Sequence, residues 1–222
     1  MSVSEELRPL LRAQVVDIGR LGASVEGHYA VDANVVMFSM YDRYDQQRLL
    51  RQQVPADERI DAYLRYQALV RTAGGKLWLP TCTLFEFLRT VEVSELKIVW
   101  AQIDATAATG DMSGFSAKMT RRRAGRYYDD FQNRIVTYLK AVAKNYVLIE
   151  AELGSLIGHL EQVWRGSQLD TGDAQLVAQG RAKDVLRFIS DDQDFATVDG
   201  ITVYTANRTV IDTARAVDRL AR

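Results

Sequence analysis

Cysteine and histidine are almost missing from this chain of 222 residues: it has one cysteine, Cys82, and two histidines, His28 and His159. A lone cysteine cannot close an internal disulfide, and three residues so scattered make no cysteine–histidine zinc pattern. Long apolar runs are missing as well; no stretch of the sequence approaches the roughly 20 residues that cross a bilayer. The opening residues, MSVSEELRPLLR, carry acids where a secretion signal carries bases, and they have no uninterrupted apolar centre. A reducing, cytoplasmic location without a membrane partner is the expectation. A net charge of one sign is also missing, since 28 Lys and Arg stand against 29 Asp and Glu, leaving −1. What is present, 47% hydrophobic and 26% charged residues, suits a folded domain and not a disordered segment. The length suits one domain, or one domain with an insertion, able to bury a core without disulfide or metal.

The near-neutral total hides two opposed regions. Between residues 117 and 144 there are eight bases and two acids, a net of +6: Lys118, Arg121, Arg122, Arg123, Arg126, Arg134, Lys140 and Lys144 against Asp129 and Asp130. Between residues 170 and 199 there are seven acids and three bases, a net of −4. Charge segregated in this way speaks about partners. Lys118, Arg121, Arg122, Arg123 and Arg126, followed by Tyr127 and Tyr128, suit phosphates and unpaired bases. The same residues also suit a solvated helix face whose arginines pair with Asp129 and Asp130.

Periodicity gives the elements. Leu7, Leu10, Leu11, Val15 and Ile18 recur at spacings of three and four, which predicts an amphipathic helix over 4–21. Short apolar runs at 28–31, 77–79, 146–149, 185–189 and 201–204 predict five strands. Helices are predicted between them: one or two turns from Val35, then from 57 to 72 after a loop at 52–57, then from about Thr83. Two more fall between about 95 and 144, followed by helices from Leu153, from Asp170 and from about Thr209. Strands alternating with helices predict an α/β fold, a three-layer α/β/α domain with a mostly parallel five-stranded sheet plus additional helices. The expected organisation is an N-terminal helical extension over 1–27, a main domain over 28–207 with a helical insertion at about 95–144, and a C-terminal helix over 208–222 packed on that domain.

In such sheets, chemistry gathers beyond the C-terminal strand ends. Asp32 follows the first predicted strand, and Asp192 and Asp194 follow the fourth. Glu86 lies early in the helix after the second strand, and Asp173 lies early in the helix before the fourth. Carboxylates brought to one edge repel each other unless a hard cation with oxygen ligands neutralises them; Mg²⁺ or Mn²⁺ fits. Each acid also has a purely structural account. Thr83-Leu-Phe-Glu86 is a capping-box pattern, and Asp32 and Asp170 are placed to cap helices. Asp191, Asp192 and Asp194 are turn formers.

Four segments in order, Val31-Asp-Ala-Asn-Val-Val36, Leu79-Pro-Thr-Cys-Thr-Leu-Phe-Glu-Phe-Leu88, Thr171-Gly-Asp-Ala174 and Ile189-Ser-Asp-Asp-Gln-Asp-Phe195, resemble the PIN-domain nucleases. The resemblance implies that Asp32, Glu86, Asp173 and Asp192 are catalytic acids binding Mg²⁺ or Mn²⁺. It makes Asp194 an auxiliary ligand, with Asn34 and Ser190 orienting the site by hydrogen bonds. Asp191 competes with Asp192, which is preferred as the second residue past Ser190. The implied activity is a divalent-metal-dependent ribonuclease acting on single-stranded or structured RNA. The resemblance extends to toxins of toxin–antitoxin pairs, and with them to a protein inhibitor and a homodimer as partners. The N-terminal helix and the long segment between Glu86 and Tyr146 depart from compact members. Two other functions stay open. One is a haloacid-dehalogenase-type phosphatase with Asp32 as nucleophile; the other is a catalytically silent scaffold of the same fold.

Overall fold

Six short apolar segments set the frame. A computed structural model describes residues 3–20, 22–43, 57–104 and 106–221. The strands are β1 (Gln14–Asp17), β2 (His28–Val31), β3 (Lys76–Pro80), β4 (Val147–Ile149), β5 (Arg187–Ile189) and β6 (Thr202–Thr205). They form one sheet in the order β1-β6-β5-β2-β3-β4, and every pairing is parallel. The α-helices among the described residues are α1 (Val3–Leu7), α2 (Ala33–Met40), α3 (Asp57–Thr72), α4 (Thr81–Ile103), α5 (Ala117–Arg123), α6 (Tyr127–Asn145), α7 (Leu153–Gly166), α8 (Thr171–Arg181) and α9 (Arg208–Ala216).

The two-residue period of a strand divides the core. Tyr29, Val31, Ile189 and Tyr204 point into one cluster with Val35 of α2, Tyr63 of α3, Phe87 of α4 and Tyr138 of α6. Ala30, Phe188 and Val203 point the other way, against Val163 of α7 and Ala174 and Val177 of α8. With both faces covered, the strands read as continuous apolar runs. This is the expected three-layer α/β/α architecture, with six strands in place of five.

The sixth strand corrects the predicted helix over 4–21. Only Val3–Leu7 is helical there, and Gln14–Asp17 joins the sheet beside β6. The apolar spacing misled because it mixes two periods. Leu7 and Leu11 pack through a short helix and the turn after it, whereas Val15 and Asp17 are buried as alternate residues of a strand. Leu7, Leu11 and Val15 share a small core with Val210, Ile211 and Ala214 of α9, which ends at Ala216. The chain's end covers the outer edge of β1: Val15 N donates to Arg219 O at 2.9 Å and Ala221 N to Val15 O at 2.8 Å. The helix expected from about Thr83 starts earlier and runs unbroken from Thr81 to Ile103. Leu21 and most of the loop at 52–57 lie outside the described residues. Among the described residues no helix is long and apolar enough to cross a membrane.

Helix α8 presses directly on β5 through Gly180. A methyl group there would lie 2.7 Å from Phe188 Cζ and 2.8 Å from the Val185 carbonyl oxygen. Gly180→Ala is therefore expected to destabilise the fold by about 1–3 kcal/mol through overpacking. A lower urea midpoint would register this; an unchanged midpoint would mean that α8 is free to move off the sheet.

The strand order also locates the site. From β2 the chain builds outward through β3 and β4, and then returns to the other side of β2 to lay down β5 and β6. The sheet therefore reverses direction between β2 and β5, which is where parallel α/β sheets open a crevice.

Candidate functional site

Asp32 is the first residue past β2 and stands at the N-cap position of α2. Its side chain caps nothing. The carboxylate instead accepts a hydrogen bond from Ser190 Oγ, the residue past β5, at 2.9 Å and is almost wholly buried. Ser190 Oγ also accepts from the backbone N–H of Asp192 at 3.0 Å, and Asp192 Oδ1 accepts from the N–H of Asp194 at 2.9 Å. One serine thus ties the ends of two adjacent strands together, and places Asp32 and the Asp192 turn on the same side of the crevice.

The other acids arrive from the two helical layers. Glu86 lies in the second turn of α4, because the helix begins at Thr81 with Pro80 at its N-cap. That early start breaks the capping-box reading. Among the described residues the Thr83 hydroxyl is buried without a hydrogen-bond partner, and Glu86 turns toward α8, where a methyl on Gly172 would be 3.9 Å from Glu86 Oε2. Asp173 lies in the first turn of α8, and its N–H donates to the carboxylate of Asp170, the helix cap, at 3.0 Å. Asp170 is thus the cap that its position suggested. Its charge also helps raise the proton affinity of Glu86, Asp173 and Asp194.

Burial and mutual repulsion raise the proton affinity of this group. Asp32 is pushed up to about 7, first by burial and then by Glu86 and Asp192, against the opposing Ser190 bond. Asp173 is pushed up to about 8 by burial and then by Asp32, Asp170, Asp192 and Glu86. Glu86 and Asp194 are raised by partial burial and by neighbouring acids. No ion pair reaches Asp32, Glu86, Asp173, Asp192 or Asp194 among the described residues. The donor set is all oxygen and lacks a counter-charge, which fits a hard divalent cation. The carboxylates are not drawn together around one point: no group of three or more His, Cys, Asp or Glu is placed to hold a metal ion among the described residues.

Asp191 points elsewhere. It pairs with Arg59 of α3 and accepts from the Tyr63 hydroxyl at 2.9 Å, while its backbone carbonyl accepts from Asn207 Nδ2 at 2.9 Å. Its charge is spent on fastening the β5 turn to α3 and α9, which leaves Asp192 to face the crevice. The phosphatase reading would use Asp191 with Asp192 to hold Mg²⁺, and here Asp191 is paired with Arg59 instead. Arg59 and Tyr63 lie more than a hundred residues from Asp191, so no local pattern revealed them. Asn34 departs from expectation: it is exposed on α2 and its side chain has no hydrogen bond among the described residues, because the helix turns it to solvent.

The basic stretch lies further along α4. Arg121 pairs with Glu92 at 2.8 Å, Arg123 lies over Trp100 at 6.0 Å, and Arg126 lies over Tyr127 at 5.0 Å. The alternative pairing of these arginines with Asp129 and Asp130 is not found among the described residues. At 1.5 Å per residue, Glu92 and Trp100 are about 9 and 21 Å along α4 from Glu86. Lys118 and Arg122 on α5 are exposed, whereas Tyr128 is half-buried and stacks on Phe131. Burial pushes the Cys82 thiol up to about 11, which keeps it protonated near neutral pH. His28 stacks on Trp78 at 5.4 Å, as a packing residue.

Glu86, Asp170 and Gly172 line one side of an open cleft of roughly 650 Å³. Compared with known proteins, the chain matches no family model, no curated protein and no solved structure.

Proposed function

We propose that this chain is a divalent-metal-dependent ribonuclease of the PIN-domain kind, with Asp32, Glu86, Asp173 and Asp192 as its acids. The observation that carries this reading is the placement of those acids around the crevice at the β2–β5 reversal, near enough to raise Asp32 and Asp173 toward neutrality, with no ion pair to them among the described residues. Asp32, Glu86, Asp173 and Asp192 would hold Mg²⁺ or Mn²⁺, with Asp194 as auxiliary. When bound, the ion polarises a phosphodiester and lowers the pKa of a water. The chain's own part is to fix the acids: Ser190 orients Asp32 and the Asp192 turn together, and the Asp170 cap fixes the first turn beneath Asp173.

Cleavage of a labelled single-stranded RNA with Mn²⁺, lost on adding chelator, tests the reading. Failure to cleave any single-stranded or structured RNA under these conditions would overturn it. Ser190→Ala is expected to lower the rate roughly 10–100-fold, the usual worth of a residue that orients metal ligands. It should also move the acid limb of the pH–rate profile upward, since the Ser190 bond holds the Asp32 pKa down. An unmoved limb would mean that Asp32 is oriented by something else.

The proposal extends to the regulation of toxin ribonucleases: a small inhibitor protein covering the acidic cleft, and pairing of two copies. Copurification of a small protein with the expressed operon, and the solution mass of the chain, test these parts separately. The silent-scaffold reading is favoured by one observation, that the carboxylates stand apart. It requires that Mn²⁺ leave both activity and unfolding unchanged.

A further inference from the structure

Phe85 is an anomaly on the surface. It directly precedes Glu86 on α4, and its ring is 65% exposed. It lines two cavities at once. One is the acidic cleft; the other is an apolar groove of about 480 Å³ between α4 and α6, walled by Leu88, Tyr128, Ile135 and Val136. Arg89, one turn further along α4, also lines both and has no ion pair among the described residues. The groove therefore adjoins the cleft that Glu86 and Asp170 line, with the Phe85 ring and the Arg89 guanidinium at the boundary. Its outer wall is aromatic too, since Tyr128 stacks on Phe131 with ring centroids 5.8 Å apart. Gln132 lines the groove as well, bringing an amide that can both donate and accept hydrogen bonds.

We infer that the α4–α6 groove is a nucleobase subsite: an unpaired base of an RNA strand stacks on Phe85 beside Tyr128, with Arg89 holding the phosphate between this base and the acidic cleft. The inference rests on the ribonuclease reading and adds to it a geometric requirement. Proteins that hold single strands combine a cationic path with aromatic faces, because every base has a face to stack. A base inside a duplex is already stacked and cannot enter, so the groove selects single strands or unpaired loops. An apolar groove of this size also suits a protein side chain. The nucleobase is favoured because the groove adjoins the cleft lined by Glu86 and has a cation at the boundary. The basic stretch extends the same path, since Arg121 is fastened to Glu92, which lines the groove beyond Arg89.

The test is equilibrium binding of short single-stranded RNA, by fluorescence anisotropy in chelator at low salt so that nothing is cut. The probes are pentauridylate and the same chain with one abasic position moved along it. Stacking on one aromatic ring is worth about 1–3 kcal/mol, so Phe85→Ala is expected to weaken binding roughly tenfold. One abasic position should weaken wild type by a similar factor and the Phe85→Ala protein hardly at all, because both remove the same contact. Phe85→Trp should keep wild-type affinity. A ring this exposed contributes little to the core, and an unchanged urea midpoint verifies that the variant is folded. Wild-type affinity in Phe85→Ala, or equal abasic losses in both proteins, would overturn the subsite while leaving the ribonuclease reading intact; a groove that takes a protein side chain gives this result. No binding and no cleavage of any single strand would overturn both.

Discussion

Asp32→Asn and Asp173→Asn are each expected to lower Mn²⁺-dependent RNA cleavage by roughly 10²–10⁴-fold, the range for losing a group that acts directly on the reacting charges. The two residues reach the crevice from opposite directions. Asp32 comes off the end of β2 and is fixed by Ser190; Asp173 comes down from the first turn of α8. The amide keeps the shape and the Ser190 hydrogen bond but removes the negative charge that a cation needs. The substitutions should therefore spare folding and RNA binding while abolishing turnover. Asp199→Asn is the matched control: it removes an exposed acid of the same acidic stretch, and its rate should equal wild type. Initial rates on a labelled single strand decide the matter. Wild-type rates in Asp32→Asn would sink the assignment. If the chain acts as a toxin, its expression arrests growth and Asp173→Asn relieves the arrest; harmless expression of an active wild type would remove the toxin part alone.

The second large effect is on stability and has the opposite sign. Asp32 at about 7 and Asp173 at about 8 both lie above the ordinary value of 3.8. Between those limits the folded chain binds protons that the unfolded chain releases. For these two groups, then, stability is greatest below pH about 4 and falls as pH rises through 7 to 8. A divalent cation replaces those protons, so Mn²⁺ should raise the unfolding temperature more at pH 8 than at pH 5. At a hundred times its dissociation constant a ligand adds about 2.7 kcal/mol. For a chain of this size that corresponds to roughly 5–10 °C. In chelator at pH 8, Asp32→Asn should melt above wild type, because it removes a charge that the fold tolerates poorly; with Mn²⁺ it should lose most of the metal-dependent gain. Thermal melts at two pH values, with and without metal, test all of this. A gain from Mn²⁺ equal at both pH values would show that the ion binds away from these acids.

The sequence alone decided a good deal. Buried parallel strands must be short, continuous and apolar, so β2 to β6 could be read directly, and residues just past their ends could be named before any geometry was known. Asp32 and Asp192 follow from that rule, whereas Ser190 came from the resemblance. Local pattern failed where two periods overlap or where the partner is distant. Leu7, Leu11 and Val15 imitate one helical face although they belong to a helix, a turn and a strand. Thr83 and Glu86 imitate a capping box, but Pro80 starts α4 two residues earlier and frees Glu86 for the crevice. The resemblance already preferred Asp192 over Asp191, but the physical reason lies in the tertiary structure, where Arg59 and Tyr63 reach Asp191 from α3. The tertiary structure also separated the two charged regions, setting the arginines along α4 and leaving Phe85 and Arg89 between them and the acids. Strands and helices record their own burial in their spacing; the pairing of side chains across the fold leaves no such record, because it depends on where the sheet brings distant segments together.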